Sequence, residues 1–290
     1  MVDQIPKIVA AITLLCIGQA EAQLAASLKL TKKQYLAGEP ILAVVTVTNH
    51  AGRELVFQSD GRFQWLDFSI KKSNGNTVTP RGRKFFGPMK IGAGQTLARE
   101  IDLTQHFQLS EPGNFSAAAI IHPPGSTTEG TSTNRVFFSQ SPGRPYWTQK
   151  VGIPGRPSDT REFRILNFSN DSKSQIYAQI IDGRTGALVR TFLLGDCLML
   201  RKPSATIDRS QMLHVIFLTN PSMWAHYVID INGRVVSPQI HQRAATGDPQ
   251  LITTGDGSVR VGNSIPYDIK AAQEERKKTR KASDRPAVTY

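Results

Sequence analysis

Histidine both ligates metals and titrates near neutrality, so the six histidines of this 290-residue sequence are the first place to look for chemistry. None stands at metal-ligand spacing from a carboxylate or a second histidine. His214 and His226 come nearest. Each opens one of two successive predicted strands, so their rings can meet across a hairpin, a pattern that favours a structural role over a metal centre. Asp230-Ile-Asn232-Gly233 and Asp256-Gly257 offer clustered oxygens of the kind calcium takes, but too few carboxylates, and read as hairpin turns. No cofactor or metal is expected. Cys197 is a small apolar core residue, with no basic neighbour in sequence to make it a nucleophile. Acidic residues are sparse and scattered, and no G-x-S-x-G, H-E-x-x-H, phosphate-loop or dinucleotide fingerprint is present. Ser126 to Thr133 is a polar loop that leads into no helix, hence no phosphate cradle. The sequence therefore names no catalytic residue, and a non-enzymatic protein is expected. Trp224 and His226 are the binding candidates, since an aromatic strand beside a polar hairpin can stack on a sugar ring. Tyr227, which has a counterpart in Tyr177, reads as core.

The elements that must position these residues repeat. Phe163–Phe168, Gln175–Ile181, an Asp182-Gly183 turn, Leu188–Leu194 and Pro203–Asp208 are answered by His214–Leu218, Ala225–Ile231, an Asn232-Gly233 turn, Val235–His241 and Pro249–Thr254. A third copy starts at Ser258-Val-Arg-Val261 and stops. Short strands joined by turns that favour positive φ indicate one β-meander duplicated and stacked over residues 159–265. Residues 203–241 resemble a β-propeller blade: a Pro-containing first strand, an L-H-V-x-F second, a Tyr-containing third and a hairpin after it. Such a ring needs more blades than this stretch supplies, so a monomer is favoured and a trimer that completes the ring is the alternative.

Residues 1–22 read as a secretory signal, with Lys7 before an apolar run to Ile17 and Ala20-Glu21-Ala22 as the cleavage site; an uncleaved anchor is the alternative. Without the signal, Cys197 stands alone and no internal disulfide can form, so stability must come from core burial. The chain carries a formal charge of +12, most of it outside the signal and the tail. Solubility is the simplest role of that excess, and it also attracts polyanions. Residues 141–158, with two Gly-Arg-Pro triplets, read as a Pro/Gly-rich linker, and residues 266–290 as a basic disordered tail.

Residues 23–140 alternate as short strands between turn signals, the arrangement of a β-sandwich. Tyr35-x-x-Gly38-Glu39-Pro40-Ile41, a following V-x-V-x-N, the W-L-x-F strand at Trp65, Gly92-x-Gly94 before L-x-R-x-I-x-L, and Pro112-Gly-x-Phe115 carry a resemblance. They are similar to exported bacterial immunoglobulin-like domains of the BsuPI proteinase-inhibitor type. The resemblance implies a fold, because every element in it is a turn or core signal; it implies inhibition poorly, because no reactive-loop pattern matches. The expectation is an all-β, two-domain, secreted or periplasmic protein: an immunoglobulin-like β-sandwich followed by a propeller-blade-like meander. Its expected role is binding or scaffolding in the cell envelope, with an anionic envelope polymer or a protein as partner, no specific nucleic acid and no membrane span after signal cleavage. A proteinase inhibitor, or an accessory subunit of an exported enzyme, is the alternative.

Overall fold

The computed structural model describes residues 24–60, 63–82, 86–125, 130–170 and 173–282. The signal and its cleavage site lie outside the described residues. The chain is all-β, built from small antiparallel sheets, and divides into two compact units. No helix among the described residues is long and apolar enough to cross a membrane.

The first unit comprises residues 24–33, 41–108 and 113–139. Along residues 24–141 the strands are β1 (Leu24–Leu30), β2 (Gln34–Leu36), β3 (Leu42–Asn49), β4 (Leu55–Phe57), β5 (Leu66–Lys72), β6 (Met89–Ile91), β7 (Thr96–Asp102), β8 (Gly113–Ile121), β9 (Thr131–Ser132) and β10 (Val136–Ser141). One short helix, α1 (Leu103–His106), is capped by the Asp102 carboxylate, which accepts from the Thr104 N–H. One sheet runs β1-β3-β7, a second contains β10-β8-β5 with β9 beside β8, and β4 pairs with β6. The alternation of β3 places Ala43, Val45 and Val47 in the core. Asn49 closes that row: its buried amide donates to the carbonyls of Arg53, Ile91 and Gly92 and so ties the end of β3 to the end of β6. Trp65 is likewise structural, its indole N–H donating to the carbonyls of Phe86 and Gly87.

The second unit is residues 34–40, 109–112 and the described residues from 140 onward. Its long stretch begins at Gln140, where the sequence placed the end of the first domain, but Gln34–Pro40 and Leu109–Pro112 cluster with it as well. Leu36 forms a buried cluster with Leu166, Phe168 and Tyr177. Gly38 takes a positive φ, and a Cβ there would collide with the Leu188 side chain, which is why that turn carries glycine. Glu39 is buried and hydrogen-bonds the Tyr177 hydroxyl. Burial and the nearby Glu39 and Asp196 carboxylates push the Tyr177 phenol up from its ordinary pKa.

The strands that follow are β11 (Arg144–Ile153), β12 (Arg156–Asn170), β13 (Lys173–Asp182), β14 (Leu188–Cys197), β15 (Ser204–Ile207), β16 (Leu213–Asn220), β17 (Met223–Ile229), β18 (Val235–Arg243), β19 (Gln250–Thr253), β20 (Val259–Gly262) and β21 (Ser264–Pro266). One sheet runs β11-β12-β13-β14 and the next β15-β16-β17-β18-β21, with β19-β20 a separate hairpin. The residues read as a linker are therefore a strand. The Gly-Arg-Pro triplets bracket β11, with Gly143 and Gly155 both at positive φ, and Pro145 sits at a register shift of this edge strand, where no ladder donor is needed. Two four-stranded meanders do follow one another, but framed one strand earlier than expected: Ser204–Ile207 pairs with β16, so it opens the second meander instead of closing the first. The first two sheets share one core, in which Phe163, Ile165, Ile176 and Ile180 meet Leu213, Val215, Phe217 and Ile229. The segment expected as a disordered tail contains α2 (Ile269–Ala282), and residues 283–290 lie outside the described residues. Its lysine- and arginine-rich composition is itself compatible with a helix, since these side chains lose little rotamer freedom there.

Candidate functional site

The outer face of the β15–β18 sheet gathers the polar chemistry of the second unit. Strand alternation gives Leu213, Val215 and Phe217 to the inner core, and His214, Ile216 and Leu218 to the opposite face. The antiparallel register then places His214 opposite Val228, Ile216 opposite His226, Leu218 opposite Trp224, and Trp224 opposite His241. Directly opposed residues share a face, so three histidines and one tryptophan fall on the same side.

His214 and His226 do meet across the hairpin, Nδ1 to Nε2 at 3.1 Å, and the second nitrogen of His214 lies 3.3 Å from Asp208 Oδ2. Asp208 is itself held by the N–H groups of Ser210 and Met212, which bond its Oδ1. His241 completes the row edge-on to His226, with ring centroids 5.8 Å apart. All three imidazoles are buried. Among the described residues, His226 Nδ1 and both ring nitrogens of His241 make no hydrogen bond, an uncommon state for buried polar atoms. Burial and the neighbouring His214 and His241 rings lower the His226 pKa to about 4, and burial lowers that of His241. No group of three or more His, Cys, Asp or Glu side chains among the described residues is placed to hold a metal ion.

A cavity of about 400 Å³ opens beside this row. Ile216, Leu218, Trp224 and Leu251 give it apolar walls, and Arg201, Lys202 and Asp248 its charged rim. Asp248 is clamped between Arg201, 2.8 Å from its Oδ2, and Arg243, whose Nε lies 2.6 Å from its Oδ1. These guanidinium hydrogen bonds, Arg201 first, hold the Asp248 carboxyl below its usual range. Arg201 and Lys202 against the one lining carboxylate, Asp248, leave the rim cationic.

Of the two binding candidates, Trp224 is 4% exposed, so its ring is a cavity wall and not an open stacking platform. His226 lies one row further in, within the histidine cluster. Sequence reasoning brought His214 and His226 together but missed His241 and Asp208; the signal was there, since His241 ends the strand whose turn, Asn232-Gly233, sets its register. Arg201, Lys202 and Asp248 left no such signal. Asp230 and Asp256 sit in turns, each accepting from backbone N–H groups two or more residues on. Cys197 is buried, and desolvation pushes its thiol up to about 11, far from a nucleophile's range.

Comparison with known proteins adds little to this geometry. No family model matches the chain, and no curated protein matches it. Among solved structures, the sporulation control protein Spo0M of Bacillus subtilis aligns over 59% of this chain and 91% of its own, at 11% identity and a TM-score of 0.28.

Proposed function

We propose that this is an exported, non-enzymatic binding protein of the cell envelope whose second unit takes a segment of an anionic polymer. The observation that carries the reading is the cavity beside Trp224, with apolar walls and a cationic rim. Its volume lies in the range of small-ligand sites, about 300–1,000 Å³. Arg201 at the rim offers a fork-shaped donor that suits carboxylates and phosphates, Lys202 adds a second cation, and the +12 formal charge draws such chains in from solution. In the same reading the first unit is an immunoglobulin-like sandwich that serves as a spacer or docking module, and the second is a short run of blade-like sheets in a monomer.

The test is calorimetric titration of the protein with a short oligouronate, a probe of repeating carboxylated sugars. Binding that weakens steeply with salt, and that is lost in an Arg201→Ala, Lys202→Ala double variant, supports the reading. Binding indifferent to both substitutions would move the site elsewhere, and no binding at low salt would refute it.

A further inference from the structure

We infer that the buried histidine row is an acid-operated latch for the β19–β20 hairpin, which closes one side of the cavity; as regulation of that cavity, this rests on the binding reading above. The hairpin lies over the outer face, with Leu251 and Val261 packed on Ile216, Leu218 and Trp224. It is pinned at both ends. At the cavity end, Asp248 just before β19 pairs with Arg201 and Arg243. At the tip, the Arg209 N–H donates to the Gly257 carbonyl at 2.8 Å, and the Arg209 side chain reaches Asp256 at 3.4 Å. Two of the residues it packs on, Ile216 and Trp224, lie directly opposite His226 and His241 on the same face.

Counting charges around the row decides what acid does. Among the described residues Asp208 is its only hydrogen-bonded carboxylate, and of the three imidazoles it bonds that of His214. The strands packed around it bring no further acid. Thr206 lies opposite His214 on β15, Gln239 opposite His226 on β18, and Pro266 opposite His241 on β21. Tyr267, just beyond, bonds the Ile240 carbonyl through its backbone N–H. β19 and β20 carry one charged residue, Arg260, which is exposed. Arg209, beside Asp208, is offset by its partner Asp256 in the turn between β19 and β20. One carboxylate can therefore compensate one imidazolium, and a second proton on the row meets like charge in a buried site. The hydrogen-bond chain sharpens this. If His214 donates from Nε2 to Asp208, its Nδ1 accepts from His226, which leaves His226 Nδ1 an acceptor with only the Gln239 side chain beside it, open to that proton. Lifting the hairpin hydrates the row and lets it charge.

The size of the effect follows from His226 alone. With a pKa of about 4 under the closed face, and about 6.5 once hydrated, acidification from pH ~7.5 to ~5 raises the opening equilibrium about thirtyfold. Hydrogen exchange of the full chain at those two values, corrected for intrinsic rates, reads this directly. Amides of β19 and β20 are expected to lose about thirtyfold or more of their protection, while those of β12 and β13 keep theirs. His226→Leu and His241→Leu, made separately, are each expected to blunt the loss. The wild-type contrast decides the matter even if neither variant folds: equal loss in the hairpin and in β12–β13, or none in either, overturns the latch. Oligouronate that fails to bind at either pH while the hairpin opens as stated would remove the ligand and leave the latch standing.

Discussion

Leu36→Ala tests where the two units divide. Leu36 is 0% exposed and lies in a four-residue cluster with Leu166, Phe168 and Tyr177 of β12 and β13. It comes from a segment that sequence alone assigns to the first domain. Buried Leu→Ala changes cost about 2–5 kcal/mol, depending on how far the site can collapse. Collapse is restricted here. Gly143 packs so closely on the Leu36 side chain that a Cβ there would clash with it, and the ladder between β12 and β13 holds the opposite wall. A loss of about 3 kcal/mol is expected, or about 6–12 °C in Tm at the 2–4 °C per kcal/mol typical of domains this size. Urea unfolding followed by circular dichroism gives the total, and residue-resolved exchange gives its location. The loss should appear in β12 and β13, with β3, β5 and β8 spared. A Phe168→Leu partner variant completes a cycle whose coupling should exceed about 0.5 kcal/mol, as for side chains in contact. A cost below about 1 kcal/mol, or a loss centred on β3 and β5, would refute the assignment of Gln34–Pro40 to the second unit.

Acid should destabilise that unit in a window set by its histidines. His226 has a folded pKa of about 4 against about 6.5 when unfolded, so the unfolded chain binds the extra proton between those values. The stability is fully present above about pH 6.5 and falls as pH drops toward 4. His226 alone removes about 2 kcal/mol between pH 7 and 5, and His241 acts in the same direction; chemical denaturation across that range measures the slope, which His226→Leu should flatten. Gly38→Ala should cost about 2 kcal/mol or more, because it combines a positive φ with a collision against Leu188. A Tm within a degree of wild type would mean that the turn readily takes another conformation.

The class and much of the plan of this protein were legible in local pattern. Alternation of apolar residues identified β strands, Asn232-Gly233 identified the β17–β18 hairpin, and the succession of strands β16 and β17 brought His214 toward the strand of His226. Those are short-range consequences of a two-residue side-chain period and of which residues tolerate positive φ. Pattern failed where the signal was local but the cause was not. Gly143-Arg-Pro145 looks like a flexible joint, yet it starts an edge strand, where a proline does not break the ladder. Pro203–Asp208 belongs to the second sheet because it pairs with β16, a choice that nothing in its own six residues encodes. Tyr35 to Pro40 carries the marks of one domain and packs with the other, since burial of Leu36 depends on strands more than a hundred residues away. The same holds for the candidate site. Residue types announced histidine and tryptophan, but only tertiary packing set His241 beside His226, closed the face with a hairpin and gathered Arg201, Arg243 and Asp248 at one rim. Burial and the neighbouring rings, which together make His226 a reluctant base, are properties of that assembly and of no single strand.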